Sequence, residues 1–452
     1  MTLRFGTDGV RGVANRDLTP ELVTALGRAA ARVLGADRPF IVGRDTRRSG
    51  PLLEAALVAG LCSEGADVER VGVLPTPGVA HLAQLLDAPA AVISASHNPY
   101  PDNGVKLFAR GGRKIADAPE ERIEAELQRL VDAGAEVGPE GADVGVARDR
   151  LGAAADYIAH LVAALGGRRL DGQAVVVDCG NGAAFEVAPW ALRVQGAWVR
   201  VLHAQPDGTN INAGCGSTDP AELQQAVLAA SAHAGLAFDG DADRVIAVDE
   251  RGELVDGDQM LAIIALDLHE RGELAGDAVV ATVMSNLGLR RALVEHGIEV
   301  VETPVGDRNV LTALEERGLS LGGEQSGHVI LADLATTGDG TLTGMLLLDV
   351  MARRGKPLSE LAAVVEPLPQ VLRSVHVGDG AGLEHDDRFR AELALVEQEL
   401  GADGRVLVRP SGTEPVVRVM VEAPTTEQAE TAATRLAAAV ERACGARPVS
   451  SR

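Results

Sequence analysis

The chain has 452 residues, of which 46% are hydrophobic and 24% are charged, and its formal net charge is -23. This length exceeds what one hydrophobic core usually supports, so several domains are expected, and the composition excludes a disordered chain. The negative charge disfavours a general binder of nucleic acid or of anionic membranes, because its mean field repels phosphate groups. A phosphate ligand would therefore need a local basic pocket.

The cysteines and the N-terminus bear on the cellular compartment. No Cys-x-x-Cys pair occurs, so neither a disulfide framework nor a zinc site is predicted. Residues 1–12 carry charge and glycine where a signal peptide needs an apolar stretch, and no apolar run reaches the roughly 18 residues of a membrane span. We expect a cytoplasmic protein with reduced thiols that binds neither membranes nor nucleic acid. The sequence leaves a homodimer open.

Helical and strand patterns alternate through the first 150 residues, which predicts an α/β domain. Helices are predicted at 19–34, 51–64 and 119–134, and strands at 39–44, 67–74, 88–95 and 104–108. The Gly-rich polar stretch 134–149 then predicts a domain boundary.

The same order recurs in two further modules, and a fourth module differs. In 151–254, helices are predicted at 151–166, 184–194 and 220–232, and strands at 173–178, 197–202, 235–239 and 244–249. In 255–367, helices are predicted at 256–271, 287–296, 307–317 and 340–353, and strands at 277–284, 298–303 and as a pair within 319–332. In 368–452, strands 370–377, 404–409 and 415–422 accompany helices 386–400 and 425–443. We therefore predict three related mixed α/β domains, as if one fold were used three times, and a smaller α+β C-terminal domain.

Two hydroxyls, an imidazole and an amide follow the apolar run 88–93 in the segment Ser-Ala-Ser-His-Asn-Pro, 94–99. Ligands usually bind at the carboxyl ends of strands in α/β sheets. A polar turn stopped by Pro99 explains the segment at least as well when it is taken alone. Lys106 lies in the next predicted strand, where we expect it beside Ser96. Because lysine can exchange a proton once desolvated and arginine cannot, this lysine indicates acid–base work.

Three carboxylates alternate along the segment Phe-Asp-Gly-Asp-Ala-Asp-Arg, 238–244, between two apolar strands. They can converge on a hard cation that prefers oxygen ligands. An EF-hand loop is one alternative, but Arg244 takes the place of its glycine and strands replace its helices. A solvated acidic turn is the other alternative, but carboxylates held this close without a cation would repel one another. We predict a metal site formed by Asp239, Asp241 and Asp243.

Two further segments have compositions typical of ligand-binding loops. The segment Gly-Glu-Gln-Ser-Gly-His, 323–328, lies in a predicted hairpin and suits sugar hydroxyls and amines, although a plain polar hairpin is an open alternative. The segment Arg-Pro-Ser-Gly-Thr-Glu-Pro, 409–415, with Arg418 beyond it, joins a guanidinium to hydroxyls and backbone amides. In so acidic a protein this composition predicts a local phosphate site. The Arg-containing loops 5–12 and 43–49 are weak signals that surface loops would also explain.

Together these motifs resemble the α-D-phosphohexomutase family, and the resemblance covers nearly the whole chain in the family's order. Each motif is moderately specific, whereas the ordered set is highly specific. The chain is most similar to the branch of the family that acts on glucosamine phosphates, through its segments 5–12, 206–212, 215–218, 305–308 and 323–328. Gly180 and Asn309 depart from that branch, but neither is a catalytic position.

The resemblance implies four domains around a central cleft and an interconversion of glucosamine 6-phosphate and glucosamine 1-phosphate. The product would feed the synthesis of UDP-N-acetylglucosamine and peptidoglycan. Ser96 would be a phosphoserine that donates its phosphoryl group, with glucosamine 1,6-bisphosphate as the intermediate. The nearest alternative is the same reaction on glucose or mannose phosphates. A phosphatase with Asp239 as its nucleophile and a catalytically silent sugar-phosphate binder are alternatives from other classes.

The resemblance also implies roles for individual residues. One Mg²⁺ per subunit would be held by Ser96, in its phosphorylated form, and by Asp239, Asp241 and Asp243. Arg11 and Arg244 would stabilise the moving charge, Lys106 and His328 would act as acid and base, and His97 would lie near the phosphoserine. The substrate would be held by Glu324, Ser326, His328, Arg409, Ser411, Gly412, Thr413 and Arg418.

Overall fold

The computed structural model of the chain describes residues 9–134, 137–377, 382–410 and 416–444. They form two compact units. The first unit holds Met1–Thr282 and Ile298–Val364, and the second holds Val283–Gly297 and Val365–Arg452. Among the described residues, no helix combines the length and the apolar character that crossing a membrane requires.

The first domain is built on a six-stranded sheet in the order β1-β5-β4-β2-β3-β6. Its elements are β1 (Val10–Val13), α1 (Pro20–Leu34), β2 (Phe40–Arg44), α2 (Gly50–Ser63), β3 (Val68–Val73), α3 (Thr76–Leu85), β4 (Ala90–Ile93), β5 (Asp102–Phe108), α4 (Asp117–Ala133) and β6 (Ala147–Asp149). Helix α1 begins where the Thr19 hydroxyl accepts a hydrogen bond from the Leu22 amide, and Pro20 suits its first turn. Helices α1, α2 and α4 cover one face of the sheet with a continuous apolar core.

The second and third domains have sheets in the orders β11-β10-β9-β7-β8 and β13-β12-β14-β15. The second contains α5 (Ala153–Ala164), β7 (Ala174–Asp178), α6 (Val187–Val194), β8 (Trp198–Leu202), α7 (Ala221–Ala230), β9 (Ala234–Phe238), β10 (Val245–Asp249) and β11 (Leu254–Val255). The third contains α8 (Gly257–Glu270), β12 (Ala278–Thr282), α9 (Leu287–Glu295), β13 (Glu299–Thr303), α10 (Asp307–Arg317), β14 (Leu321–Gly323), β15 (Val329–Leu331), α11 (Gly340–Arg354) and α12 (Leu358–Ala362).

One four-stranded arrangement occurs in all three sheets, which confirms the predicted reuse of one fold. Its strands are β3-β2-β4-β5 in the first sheet, β8-β7-β9-β10 in the second and β13-β12-β14-β15 in the third. In each, the first three strands are parallel and the fourth is antiparallel to the third. We call the connection between the third and fourth strands the sheet corner.

The three sheet corners carry the three polar motifs found in the sequence. They span residues 94–101, 239–244 and 324–328. Each corner follows the carboxyl end of a buried parallel strand, which is the usual position of ligand sites in such sheets. The shared fold therefore explains why one polar motif occurs at the same point of each of the three sheets.

The C-terminal domain is the predicted small α+β domain. It comprises β16 (Gln370–His376), α13 (Asp387–Leu400), β17 (Arg405–Pro410), β18 (Val416–Glu422) and α14 (Thr426–Cys444). Its strands are antiparallel in the order β16-β18-β17. Helix α9 lies in the same compact unit, where the Asn286 side chain donates to the Leu368 carbonyl over 3.0 Å and accepts from its amide over 2.9 Å.

Several short elements were not predicted from the sequence. They are β1, β6, β11, α3 and α12. Strand β6 lies within the polar stretch interpreted as a boundary, and it pairs in parallel with β3. Its residues Arg148 and Asp149 are exposed, so it has no apolar alternation to reveal it. Helix α3 begins at Thr76-Pro77, where proline fits the first turn instead of excluding a helix.

Candidate active site

The predicted carrier serine lies at the first sheet corner. Ser96 is buried and has φ 51°, in the left-handed region that non-glycine residues rarely adopt. Its hydroxyl donates to Oδ2 of Asp239, 2.5 Å away, in the second sheet corner. The Nδ1 atom of His97 is 3.4 Å from the same hydroxyl oxygen. The first two corners therefore meet at Ser96.

A fully buried arginine holds the backbone of this corner. Arg47 forms an ion pair with Asp45 over 2.8 Å. Its guanidinium also donates to the carbonyl oxygens of Ser96, Asn98, Pro99 and Asp102 over 2.5 to 3.0 Å. Burial raises the pKa of Asp45, while the Arg47 charge opposes this change. The loop 43–49, which the sequence analysis treated as a weak signal of function, thus supports the serine corner. Its position directly after a buried strand was the signal in the sequence that could have revealed this role.

The second domain also contacts the serine corner. The amide of Asn212 donates to the carbonyl oxygens of Ser96 and Asn98 over 2.9 and 3.2 Å. The Thr46 hydroxyl donates to the carbonyl oxygen of Asn181, 2.5 Å away. Hydrogen bonds from two domains thus fix the position of the left-handed serine.

The three aspartates predicted to bind metal form one buried cluster. One oxygen from each of Asp239, Asp241 and Asp243 lies within 4.8 Å of the others. Within the described part of the chain, Oδ1 of Asp241 is buried and has no hydrogen-bond partner. Burial, followed by the charges of Asp243 and Asp241, raises the pKa of Asp239 well above its ordinary value. Convergent carboxylates with an unsatisfied oxygen fit a metal ion.

Lys106 lies in the same cluster, with the carboxylates as its contacts. Its Nζ atom is 2.7 Å from Oδ2 of Asp241 and 3.2 Å from Oδ2 of Asp243, and the side chain is 2% exposed. The Thr76 hydroxyl donates to the same Asp241 oxygen over 2.5 Å. The sequence did not suggest Thr76, because it lies in the unpredicted helix α3.

Two arginines place positive charge near the serine corner. The charges of Arg244 and Arg11, together with burial as the larger cause, lower the pKa of His97. The backbone amide of Arg244 donates to Oδ1 of Asp239 over 3.2 Å. Arg11 lies on β1 opposite Gly104 of β5. Both predicted arginines are thus within electrostatic range of the serine and aspartate corners.

The third sheet corner adjoins the second. The Val245 amide, next to Arg244, donates to the Gly327 carbonyl over 3.1 Å. In this corner Glu324 accepts a hydrogen bond from the Gly306 amide over 3.0 Å. The Ser326 hydroxyl is 3.5 Å from the other Glu324 carboxylate oxygen. The serine, aspartate and glutamate corners are therefore connected in one compact unit.

His328 ends the third corner in a tight packing site. The side chain is 1% exposed, and neither ring nitrogen makes a hydrogen bond within the described residues. Its Nε2 atom is 3.8 Å from Oδ2 of Asp307, which also pairs with Lys114. A Cβ atom on Gly338 would lie 2.4 Å from the same Nε2, so only glycine leaves room for the imidazole.

The fourth predicted motif is described in part. Ser411, Gly412 and Thr413 lie outside the described residues. Arg409 and Arg418 are directly opposite each other on the paired strands β17 and β18. Burial, together with the Arg418 charge, lowers the pKa of Arg409. Like charges in such a cross-strand pair are unfavourable, and an anionic ligand would relieve that repulsion.

The fold and the site define a multidomain α/β protein in which a serine hydroxyl adjoins a carboxylate cluster that fits a metal ion. Models of the family described as phosphoglucomutase/phosphomannomutase match all four domains. The α/β/α domains I, II and III match residues 2–133, 155–252 and 256–368, and the C-terminal domain matches 372–439. The chain therefore belongs to this family, the α-D-phosphohexomutases.

Named relatives resemble the chain over nearly its whole length. A phosphoglucosamine mutase of Salinispora tropica is 56% identical over 445 residues, which cover 97% of this chain and 98% of the relative. One of Thermobifida fusca is 55% identical over 444 residues, with coverage of 97% and 98%. A solved structure of a phosphoglucomutase/phosphomannomutase family protein from Burkholderia thailandensis has a TM-score of 0.81 and 29% identity, and covers 98% of each chain.

Proposed function

We propose that the chain interconverts glucosamine 6-phosphate and glucosamine 1-phosphate, as an isomerase that works by phosphoryl transfer. The observation that carries this proposal is the buried Ser96 hydroxyl, 2.5 Å from a carboxylate of the metal-binding cluster. The choice of glucosamine rests on the relatives named phosphoglucosamine mutase at more than half identity. Glucose and mannose phosphates are the competing substrates of the same machinery.

Ser96 is the proposed carrier. In its phosphorylated form, the bond between its oxygen and phosphorus breaks as a sugar hydroxyl oxygen bonds to phosphorus and loses its proton. The product of this step is glucosamine 1,6-bisphosphate. The second phosphoryl group then returns to the Ser96 oxygen, and the freed sugar oxygen regains a proton. The fixed left-handed backbone at Ser96 supports this role, because phosphoryl transfer depends mainly on positioning and charge.

Mg²⁺ is the proposed metal, and Asp239, Asp241 and Asp243 would hold it together with an oxygen of phosphorylated Ser96. Their oxygen-only chemistry and the unpartnered Asp241 Oδ1 support this assignment. When bound, the ion would neutralise charge on the phosphoryl oxygens. Lys106 contributes a further positive charge through its contacts with Asp241 and Asp243.

His328 and Lys106 are the proposed acid and base. His328 is buried and presents ring nitrogens that make no hydrogen bond within the described residues, so a sugar hydroxyl would satisfy one of them. Lys106 is nearly fully buried beside Asp241 and Asp243, and a desolvated lysine, unlike an arginine, can exchange a proton. Arg11, Arg244 and His97 would surround the phosphoryl group at Ser96 with positive charge and hydrogen-bond donors.

The sugar and its second phosphate have separate proposed sites. Glu324 and Ser326 would bind the sugar, and the Glu324 carboxylate would attract the amino group of glucosamine. Arg409 and Arg418, with Ser411, Gly412 and Thr413, would bind the phosphate that is not reacting. The adjacent guanidinium groups of the arginine pair support this assignment. We place the reaction in the cytoplasm, where its product would supply UDP-N-acetylglucosamine and peptidoglycan synthesis.

Mass spectrometry of the intact protein with peptide mapping tests the carrier. We expect one phosphate on the peptide containing Ser96 after incubation with substrate bisphosphate. Ser96→Ala should bind the sugar phosphate and lose nearly all turnover, whereas Ser63→Ala, which changes a serine outside the site, should behave as the wild type. An adduct on Asp239 would instead identify a phosphatase.

Comparative kinetics test the substrate. Rates on glucosamine, glucose and mannose phosphates should give the highest kcat/KM for glucosamine. A clear preference for a sugar without an amino group would refute the substrate assignment while leaving the Ser96 mechanism intact.

A further inference from the structure

Three side chains that can bind a metal converge in the second domain, outside the sheet corners. Asp178 ends β7, His203 directly follows β8, and Cys215 lies in the loop before helix α7. Strands β7 and β8 are parallel neighbours, with Asp178 opposite Leu202, so their carboxyl ends meet at one edge of the sheet. One ligand atom from each of the three side chains lies within 4.8 Å of the other two. The three residues are far apart in sequence, so no compact Cys–His motif reveals them.

The carboxylate of Asp178 is held in place and keeps capacity for a cation. It is buried, and its two oxygens accept hydrogen bonds from the backbone amides of Gly180 and Gly216, each over 2.9 Å. Each carboxylate oxygen has two lone pairs, so one on each oxygen can bind another partner. Because Gly216 directly follows Cys215, its hydrogen bond also holds the backbone of the cysteine close to the carboxylate.

The imidazole of His203 places a buried, unsatisfied nitrogen beside this carboxylate. Its Nδ1 atom is 3.1 Å from Oδ1 of Asp178, yet within the described residues it makes no hydrogen bond. Its Nε2 atom is 3.2 Å from Oε2 of Glu222, and a carboxylate in this position favours a proton on Nε2. The Nδ1 atom then has a lone pair facing a negative oxygen, which is unfavourable unless a cation binds both atoms. Their spacing suits two ligands that each lie about 2.0–2.1 Å from one ion.

Cys215 adds a sulfur ligand to the oxygen and the nitrogen. Its side chain is buried, and the side-chain amide of Asn181 donates to the Sγ atom over 3.9 Å. Burial, followed by the charge of Asp178, raises the pKa of Cys215 to about 12, so a cation that binds this sulfur must displace the thiol proton into solvent. The Asn181 contact suits a metal-bound sulfur, because outer hydrogen bonds orient ligating groups.

We propose that Asp178, His203 and Cys215 bind Zn²⁺. Sulfur, imidazole nitrogen and carboxylate oxygen are the ligands that Zn²⁺ prefers, whereas Mg²⁺ prefers oxygen ligands alone and fits the aspartate corner. Three protein ligands leave the fourth position of the ion for water. Glu222 is the outer carboxylate that orients the histidine, a partner that zinc-binding histidines usually have. This inference does not depend on the proposed catalytic function.

The ion would stabilise the loop that supports the serine corner. Cys215 is close in sequence to Asn212, whose side-chain amide donates hydrogen bonds to the backbone of that corner. The backbone amide of Asn212 donates to the carbonyl oxygen of Gly180, 2.9 Å away. Asp178 and Cys215 lie close in sequence to the two sides of this contact, so an ion bound by both would hold the two segments together. We therefore assign the ion a structural role.

Absorption spectra with Co²⁺ in place of Zn²⁺ test for a sulfur ligand. We expect Co²⁺ to give a thiolate-to-cobalt charge-transfer band in the near ultraviolet, which the aspartate corner cannot give because its ligands are oxygens. Cys215→Ser should remove the band, and Cys62→Ser, the matched control outside the site, should keep it. A band that is absent from the wild type, or that survives Cys215→Ser, would overturn the proposal.

Competition with a chromophoric chelator measures the Zn²⁺ affinity while saturating Mg²⁺ occupies the aspartate corner. Glu222→Gln should lower this affinity at least about tenfold, as loss of an outer partner typically does, and His203→Gln should lower it further. Glu186→Gln changes another exposed carboxylate of the same domain and should have no effect. His203 and Glu222 are both partly exposed, so these variants decide the question even if Cys215→Ser fails to fold. An unchanged Zn²⁺ affinity in His203→Gln would refute the site.

Thermal unfolding tests the structural role. In saturating Mg²⁺, added Zn²⁺ should raise the melting temperature of the wild type, because the assembled site exists only in the folded chain. The same addition should leave the melting temperature of His203→Gln nearly unchanged. Equal shifts in the two proteins would place the stabilising ion elsewhere and contradict the assignment.

Discussion

The guanidinium of Arg47 donates a hydrogen bond to the carbonyl oxygen of Ser96 over 2.8 Å, from a position with no exposure to solvent. A residue 49 positions earlier in the chain thus helps to hold the backbone conformation of the proposed carrier. The Arg47 guanidinium also donates hydrogen bonds to the carbonyls of Asn98, Pro99 and Asp102. The backbone of the whole serine corner therefore depends on the position of this side chain.

Arg47→Lys should impair turnover and stability together. A lysine cannot reproduce the planar set of donors, so several buried carbonyls and the Asp45 carboxylate lose partners. Disruption of such a buried pair typically costs about 3–5 kcal/mol in the free energy of unfolding, and kcat should fall by at least about tenfold. Urea denaturation and steady-state kinetics measure the two effects. The neighbouring Arg48 is exposed, and Arg48→Lys should change neither. Wild-type kinetics for Arg47→Lys would contradict the positioning role.

Thr76→Ala should weaken metal binding without removing a ligand. The Thr76 hydroxyl orients Asp241 through a hydrogen bond of 2.5 Å. Loss of such outer contacts commonly lowers metal affinity about 10–100-fold. Titration calorimetry with Mg²⁺ measures this effect, and Thr76→Ser, which keeps the hydroxyl, should restore most of the affinity. Equal affinities for the alanine and serine variants would show that the hydrogen bond is irrelevant to the metal.

The stacked rings of His81 and His160 should make the protein sensitive to acid. Their centroids are 4.0 Å apart, and burial, followed by the charge of His160, lowers the pKa of His81 to about 4. The unfolded chain therefore binds more protons than the folded chain between about pH 6.5 and pH 4. The contribution to stability is fully present above pH 6.5 and is lost as the pH falls towards 4.

Between pH 7 and pH 4 we expect the free energy of unfolding to fall by an amount on the order of 1–2 kcal/mol. This figure is reduced because part of the His81 ring is exposed to solvent. The free energy of unfolding measured from pH 7 to pH 4 checks it. His81→Phe should flatten this dependence, and substitution of the exposed His376 by glutamine should not. The same acid slope in the His81 variant and the wild type would assign the sensitivity to other groups.

Gly338→Ala should disturb His328 directly. The new methyl group would lie 2.4 Å from Nε2, so the imidazole or the backbone must move. Such overpacking typically costs about 1–3 kcal/mol, and turnover should fall because His328 is the proposed acid or base. Gly50→Ala is the control, since its Cβ would meet the Arg44 side chain at 3.2 Å. A fully active Gly338→Ala enzyme would contradict the role of His328.

Glu324→Gln should narrow the preference between substrates. Removal of the carboxylate charge weakens attraction to the amino group of glucosamine, at a cost of about 1.5–3 kcal/mol. We expect kcat/KM to fall about 10–100-fold for glucosamine phosphate and much less for glucose phosphate. Parallel kinetics on both sugars provide the internal control. An equal decrease in kcat/KM for both sugars would indicate that Glu324 stabilises the corner through its contact with the Gly306 amide and does not select the substrate.

The sequence predicted two of the sheet corners well because buried parallel strands have continuous apolar runs. The runs ending at Ile93 and Phe238 mark the ends of β4 and β9, and the polar segments that follow them are corners. The third corner follows the glycine-containing strand β14 and was predicted as the connection of a hairpin. Strand β1 and the exposed edge strand β6 lack such runs, so pairing with distant strands defines them.

The supporting residues were not predictable by the same means. Thr76 acts through Asp241, which lies 165 positions away, and Arg47 acts on Ser96, which lies 49 positions away. No local periodicity reports such contacts. The unsatisfied ring nitrogens of His328 likewise depend on packing against Gly338, which only the folded structure reveals.

Because the same corner occurs in three sheets, the residues proposed to carry the chemistry are distinct from the residues that form the hydrophobic layers. Substitutions at a corner leave the hydrophobic layers of its sheet in place, so each copy can acquire new polar residues with little risk to the fold. The three corners accordingly differ in charge and hydrogen-bonding character, although their sheets share one strand order. Exchange of corner segments between the three sheets offers a direct route to engineered variants of this scaffold.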